Sequence, residues 1–135
     1  MTRDEQRAHA ANTLKRNRDA FGGGPKWCFA VDSSEADYVA YVDFDLANEH
    51  APAGEANISY SSHPQYRGRG YVARAVRLVA RFITEHTDAR RAHLIVDAEN
   101  TASLRVAHAV GAAEVERWID ARGRTMIRHE LRLYA

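Results

Sequence analysis

The chain has 135 residues, with 19 basic and 18 acidic side chains and a formal net charge of +1. This length fits one domain with its own core, residues 1–135, and the near-neutral total gives no field that would favour nucleic acid or a membrane. Cys28 is the only cysteine, which excludes an internal disulfide. Neither a signal-peptide pattern nor an apolar run long enough to span a bilayer is present, so we expect a cytoplasmic protein.

The first part of the chain predicts one polar, Ala-rich helix followed by three strands. "FGGGP" ends the helix, because three glycines and a proline cannot continue it. In the second strand apolar residues alternate, with Asp43 and Asp45 on the opposite face. Consecutive strands joined by turns predict an antiparallel meander. The predicted ranges are 3–20 for the helix and 27–31, 38–46 and 55–61 for the strands.

The second part of the chain alternates helices and strands. A helix is predicted over 71–86, then a strand over 92–98 whose continuous apolar centre favours burial on both faces. Asn100 is a good N-cap and Gly111 a good stop for the next helix, and two strands over 114–120 and 125–134 form a hairpin. His129 alternates with apolar residues and is predicted to pack in the core. The order predicts an α/β (α+β) fold with a mixed, mostly antiparallel sheet flanked by helices.

A glycine turn leads directly into the helix at 71–86. Its spacing is Q-x-x-G-x-G, with Gln65, Gly68 and Gly70. Glycines at a helix entrance let backbone N–H groups approach a ligand, and the positive end of the helix dipole favours an anion there. The sequence therefore predicts a phosphate site at this turn.

The strand, the Q-x-x-G-x-G turn, the long helix, the buried strand, an N-x-x-S helix start and a glycine stop occur here in that order. Together they resemble the GNAT superfamily of acyl-CoA-dependent N-acyltransferases, and most closely its subgroup that acetylates the N-termini of ribosomal proteins. The resemblance covers residues 55–112, and the hairpin to Leu133 also fits. Members of this family usually have a further strand and helix at their start, so the chain looks shortened at its N-terminus.

The resemblance implies that the turn wraps the pyrophosphate of coenzyme A and that acetyl-CoA is the co-substrate. It implies that strands four and five of the family, here the strands at 55–61 and 92–98, splay apart so that the pantetheine arm pairs with the former. The acceptor would be a primary amine, either a protein N-terminus or a small amine. The implied cofactor-binding residues are Ser61, Ser62, His63, Gln65, Tyr66, Arg67, Gly68, Arg69, Gly70, Tyr71, Asn100 and Ser103.

The resemblance also implies direct attack of a neutral amine on the thioester. Many members use a tyrosine, four residues before the glycine of the second helix, as the acid for the departing thiolate; here that position is Ala107. Ser103 is the predicted substitute, although it could be only a first-turn residue, as Asn100 could be only a cap. Glu55 is the predicted base, and His63 is the alternative.

Two departures from the family pattern leave a second function open. The missing tyrosine and the short N-terminus also fit a non-catalytic GNAT-fold module that binds acyl-CoA or a partner protein.

No metal site is predicted, because the histidines lack metal-ligand spacing. Since the family's first strand is missing, we expect an exposed edge at Trp27 and a homodimer formed through that edge or through the helix at 3–20.

Overall fold

The computed structural model describes residues 26–34 and 36–133. The helix predicted over 3–20 lies outside these residues. The described elements, in chain order, are β1 (Lys26–Val31), β2 (Ala40–Asp45), β3 (Ala56–Ser62), a 3-10 turn (Pro64–Tyr66), α1 (Tyr71–His86), β4 (Arg91–Asp97), α2 (Thr101–Ala109), β5 (Ala113–Ile119) and β6 (Thr125–Arg132).

The strands form one six-stranded sheet in the order β1-β2-β3-β4-β6-β5. The first three strands are the predicted antiparallel meander, and β5 and β6 are the predicted hairpin. Only the β3–β4 pairing is parallel within this sheet of described strands, and α1 provides the crossover between them. The predicted mixed, mostly antiparallel sheet is therefore confirmed.

The core lies between one face of the sheet and the apolar stripe of α1. Val76, Val79 and Ile83 of α1 are buried, as the helical spacing predicted. Phe82 lies against Trp27 and Phe44 of the first two strands, with ring centroids 5.1 and 6.1 Å apart, respectively. Helix α2 packs on the same side as α1, because the Arg77 guanidinium donates to the main-chain carbonyl of Ala109 at 2.6 Å.

The opposite face of the sheet carries more polar residues, and the loop between β2 and β3 reaches across it. His50 of this loop stacks on Trp118 of β5, with ring centroids 5.3 Å apart. Since β5 is at the far edge from β2, the loop spans β4 and β6. His93 of β4 is fully buried. Within the described residues, no helix is long and apolar enough to cross a membrane.

Three side chains of the first two strands define their local structure. Tyr38 begins the strand predicted over 38–46, but it is 50 % exposed and has a positive φ of 57°, so β2 begins two residues later at Ala40. Asp43 is buried in an inner strand. The Cys28 sulfur accepts a hydrogen bond from the Tyr41 hydroxyl at 3.1 Å.

Candidate active site

The parallel strands β3 and β4 separate soon after they meet. They pair at only two positions, Ala56 with Ala92 and Asn57 with His93. Beyond these pairs β3 continues along β2 to Ser62, and β4 continues along β6 to Asp97. The gap between them exposes main-chain groups of β3 to a ligand, as the predicted splay requires.

The glycine turn closes the open end of this gap. Gly68 and Gly70 have φ values of 77° and 76°, a left-handed conformation that L side chains rarely adopt. Gly70 is the N-cap of α1, and it provides no side-chain cap to the helix. The first turn of α1 has no acidic residue that would offset the positive end of the helix dipole. The local sequence therefore builds a helix start suited to an anion.

A cleft of about 370 Å³ lies between this turn and α2. Its wall on the α2 side is mostly apolar, and Arg67 and Arg105 contribute a guanidinium from each side. A narrow apolar passage between charged groups suits a ligand with a thin arm and phosphate groups. The lining residues are Ser62, Tyr66, Arg67, Gly68, Gly70, Tyr71, Val72, Ala73, Ala102, Arg105, Val106 and Ala109.

Half of the predicted cofactor residues line this cleft, namely Ser62, Tyr66, Arg67, Gly68, Gly70 and Tyr71. Ser61, Gln65 and Arg69 are exposed outside its lining, and the exposed His63 packs near Tyr38, with ring centroids 5.8 Å apart. Arg69 instead lies near the Tyr66 ring, with its guanidinium carbon 5.8 Å from the centroid.

The start of α2 is fixed by two hydrogen bonds. Asn100 is its N-cap, because its side-chain oxygen accepts from the Ser103 N–H at 3.1 Å. The Tyr60 hydroxyl donates to the Ser103 main-chain carbonyl at 2.9 Å, so β3 is tied to α2 beside the gap. Burial raises the pKa of the Tyr60 phenol above its usual value, which keeps the hydroxyl protonated. Asn100 and Ser103 do not line the cleft itself.

Ala107 is fully buried in the core. A methyl group at this position supplies no proton. The first turn of the same helix carries Thr101 and Ser103, and the Tyr60 hydroxyl contacts the Ser103 carbonyl.

A chain of polar contacts lies at the closed end of the gap. Glu55 Oε1 is 3.1 Å from His93 Nε2, and His93 Nδ1 is 3.0 Å from Nη1 of Arg128. Arg128 in turn contacts Glu116, with its Nε 2.9 Å from Oε2. The Glu55 side chain is 18 % exposed, whereas His93 is completely buried. The predicted base thus lies beside the paired positions of the splayed strands.

A second set of polar side chains, Tyr41, Asp43 and Asn57, lies on β2 and β3, next to the chain of contacts that begins at Glu55. Asn57 is buried, and its side-chain oxygen has no hydrogen-bond partner. Burial raises the pKa of the Asp43 carboxyl. Burial likewise raises the pKa of the Tyr41 phenol. Among the described residues, no group of three or more His, Cys, Asp or Glu side chains could hold a metal ion.

Sequence reasoning did not single out His93, Arg128 or Tyr60. A histidine inside the apolar run "AHLIVDA" was a usable signal, because a buried polar side chain needs a partner. The partners themselves, Glu55 and Arg128, are 38 and 35 residues away along the chain, so no local spacing identifies them. Arg105 was missed for a similar reason, since only the packing of α2 brings it to the turn.

A mixed sheet with two splayed parallel strands, closed by a glycine turn between two helices, is the architecture expected of acyl-CoA-dependent N-acyltransferases. The chain belongs to this group: a profile of the acetyltransferase (GNAT) domain matches residues 1–113. The predicted family and fold are therefore confirmed. No curated protein sequence matches the chain.

Solved structures support the same fold. Ribosomal-protein-S5-alanine acetyltransferase from Vibrio fischeri is 15 % identical with a TM-score of 0.72, and the match covers 98 % of this chain and 91 % of that one. Spermidine N-acetyltransferase from Vibrio cholerae, in complex with CoA and spermine, is 14 % identical with a TM-score of 0.67, covering 88 % and 72 %. A GNAT-family acetyltransferase from Bacillus anthracis is 16 % identical with a TM-score of 0.66, covering 82 % and 67 %.

Proposed function

We propose that the protein is an acetyl-CoA-dependent N-acetyltransferase that transfers an acetyl group to a primary amine. The observation that carries this proposal is the cleft between the glycine turn and α2, which includes Ser62 at the end of β3 in its lining. Similar proteins include acetyltransferases named for an alanine of ribosomal protein S5 and for spermidine, and spermidine carries primary amines. The cytoplasmic location and the single domain over 1–135 remain predictions.

The residues of the turn fit a pyrophosphate. A Cβ built on Gly68 meets no atom within 4 Å, so the space beside this backbone is open to a ligand. The dipole of the sixteen-residue α1 points its positive end at the same space. Arg67 and Arg105 can add charge-assisted contacts to phosphate oxygens. The exposed main chain of β3 beyond Asn57 would pair with the amides of the pantetheine arm.

In the proposed reaction Glu55 removes a proton from the acceptor ammonium. The nitrogen lone pair then forms a C–N bond with the thioester carbonyl carbon, and the C–S bond breaks. The amine nitrogen loses a second proton as the departing thiolate gains one, so the net products are the amide, the free thiol and one proton. Glu55 fits the first step because its carboxylate is held near the closed end of the gap and is partly open to solvent.

Ser103 is our proposed donor of the proton that the thiolate gains. Its position is fixed twice, through its N–H by Asn100 and through its carbonyl by Tyr60. The hydroxyl proton would pass to sulfur and be replaced from solvent. Tyr60 supports this role through the Ser103 main chain, because its own hydroxyl hydrogen is donated to the Ser103 carbonyl oxygen.

The second candidate function is a GNAT-fold module that binds acyl-CoA or a partner protein without turnover. The burial of an alanine at the usual tyrosine position favours it. The two functions differ in turnover. Thiol release from acetyl-CoA should be measured across primary amines, N-terminal peptides and polyamines. An enzyme releases thiol with at least one acceptor above the buffer rate, whereas a binding module gives the buffer rate throughout.

The substitution Glu55→Gln sharpens this assay. The new amide can still accept a hydrogen bond from His93, but it cannot take a proton at neutral pH. We expect kcat to fall about a hundredfold or more while acetyl-CoA binding is kept. The matched variant His63→Gln, at the other end of β3, should leave kcat within about twofold. The reverse pattern would assign the base to His63.

A further inference from the structure

We infer that His93 is a positioning residue whose hydrogen-bonding direction is set by Arg128 and Glu116, and that it orients the Glu55 carboxyl group toward the acceptor. We call Glu55, His93, Arg128 and Glu116 the polar chain. This inference rests on the proposed function, because it gives the base of that reaction its orientation.

The direction of the hydrogen bonds follows from the chemistry of the guanidinium group. Arginine has donors only, so the contact between Arg128 Nη1 and His93 Nδ1 at 3.0 Å requires Nδ1 to accept. A neutral imidazole then carries its hydrogen on Nε2, which faces Glu55 Oε1 at 3.1 Å. Both hydrogen bonds of the imidazole therefore run in the direction of Glu55, from Arg128 to His93 and from His93 to the carboxylate.

Arg128 is held in place from its other side. Its Nε and Nη2 both lie 2.9 Å from Glu116 Oε2, and its side chain is only 16 % exposed. Position 116 lies on β5 next to a register shift between Glu114 and Glu116, which brings Glu116 opposite Arg128. The bulge thus aligns the outer carboxylate with the guanidinium.

The remaining charged groups near His93 point elsewhere. Glu130 lies opposite His93 on β6, but it pairs with Arg91 at 3.5 Å. His93 is fully buried, so water does not compete for either ring nitrogen. Glu55 consequently receives one strong hydrogen bond on Oε1, which leaves Oε2 to meet the ammonium.

This arrangement also decides where the proton from the ammonium goes. Once Glu55 is protonated, it cannot pass that proton to His93 Nε2, which already carries one. Release through Nδ1 is blocked because the Arg128 guanidinium occupies its lone pair. The proton therefore leaves through the exposed part of Glu55 to solvent, and His93 orients the base without relaying protons.

Two substitutions at His93 separate orientation from packing. In His93→Gln the side-chain amide nitrogen reaches the Nε2 position and can donate to Glu55. In His93→Asn the shorter amide reaches only the Nδ1 position and keeps the Arg128 contact. We expect kcat to stay within about threefold for His93→Gln and to fall about tenfold or more for His93→Asn, with the KM for acetyl-CoA unchanged in both.

Arg128→Met tests the outer part of the polar chain, where Arg128 contacts Glu116, and Arg91→Met is the matched control. Both remove an arginine from the same face of neighbouring strands, but Arg91 contacts Glu130 and not His93. We expect a loss in kcat of about tenfold for Arg128→Met and less than twofold for Arg91→Met. Equal values for the two His93 variants, or for the two arginine variants, would overturn the positioning role.

Nitrogen NMR of histidine-labelled wild-type protein gives a readout independent of turnover. At about pH 8, where histidines are generally neutral, we expect the His93 proton on Nε2. A proton on Nδ1 would overturn the hydrogen-bond order whatever the kinetics show. If no amine is acetylated, the proposed function fails and with it the base role of Glu55, while the NMR spectrum still decides the direction of the polar chain.

Discussion

The Tyr60 hydroxyl donates a hydrogen bond to the main-chain carbonyl oxygen of Ser103 at 2.9 Å, and this bond ties β3 to the first turn of α2. The two elements border the gap left by the splayed strands, so the bond sets the width of the gap on the helix side. Burial raises the pKa of the phenol, which keeps the donor hydrogen in place across the neutral and mildly alkaline range.

Tyr60→Phe should therefore destabilise the protein by about 1–2 kcal/mol, because the Ser103 carbonyl loses a buried partner. Denaturant unfolding measures this loss. Tyr66→Phe is the matched control, since among the described residues the Tyr66 hydroxyl makes no hydrogen bond. If both substitutions cost the same, the bond to Ser103 does not contribute to stability.

Asp43 predicts a pH-dependent stability. Its pKa is raised by burial, so the folded state holds the proton more tightly than the unfolded chain does. The wild-type protein therefore loses stability as the pH rises through the folded pKa. Asp43→Asn lacks this loss, and we expect it to be more stable at pH 7 by on the order of 1 kcal/mol.

Unfolding the wild-type protein and Asp43→Asn at several pH values checks the sign of the predicted difference in stability. The difference between them should shrink toward about pH 4 and below, where the carboxyl is protonated in both states. A variant that is less stable than wild type at pH 7, or a gap that grows on acidification, would show that the Asp43 carboxylate is favourably paired.

The elements with strong periodicity were predicted closely from the sequence. Helix α1 has the predicted bounds, because five of its residues are buried on one stripe and its glycine entrance is unambiguous. The cap at Asn100 was also correct. The start of β2 was misplaced because alternation alone does not reveal that Tyr38 takes a left-handed φ.

The candidate site also contains one part that local sequence patterns predicted and one part that they did not. The glycine turn is local, and six of the predicted cofactor residues in or beside it line the cleft. The polar chain is not local, since His93 and Glu55 are joined only by the parallel pairing of β3 with β4. Glu55 was predicted from its place at the start of the third predicted strand, but what orients it depends on β6 and β5, which fold back much later in the sequence.

Gly68 and Gly123 form a matched pair for testing the turn. Their φ values are 77° and 78°, and a Cβ at either position meets no atom within 4 Å. Valine should therefore cost similar backbone strain at both, of the order of 1–2 kcal/mol. Only Gly68 lines the cleft, so Gly68→Val should weaken acetyl-CoA binding about tenfold or more, whereas Gly123→Val should leave the affinity unchanged.

Assembly remains a prediction. Among the described strands, β1 is at one end of the sheet order and pairs with β2. We expect a homodimer that buries on the order of 1,000 Å² or more through this edge or through the helix predicted over 3–20. Multi-angle light scattering at micromolar concentration distinguishes the expected homodimer from a monomer. A mass near a single 15.2 kDa chain would show that the edge is covered within one copy.

The most direct test of the central claim is calorimetric titration of the wild-type chain with acetyl-CoA. The cleft between the glycine turn and α2 predicts saturable binding of one molecule per chain, weakened by salt because phosphate contacts carry much of the affinity. Desulfo-CoA, which keeps the phosphates, should bind at the same site and compete with acetyl-CoA. No detectable heat of binding at millimolar acetyl-CoA, confirmed by equilibrium dialysis, would contradict the assignment of the cleft.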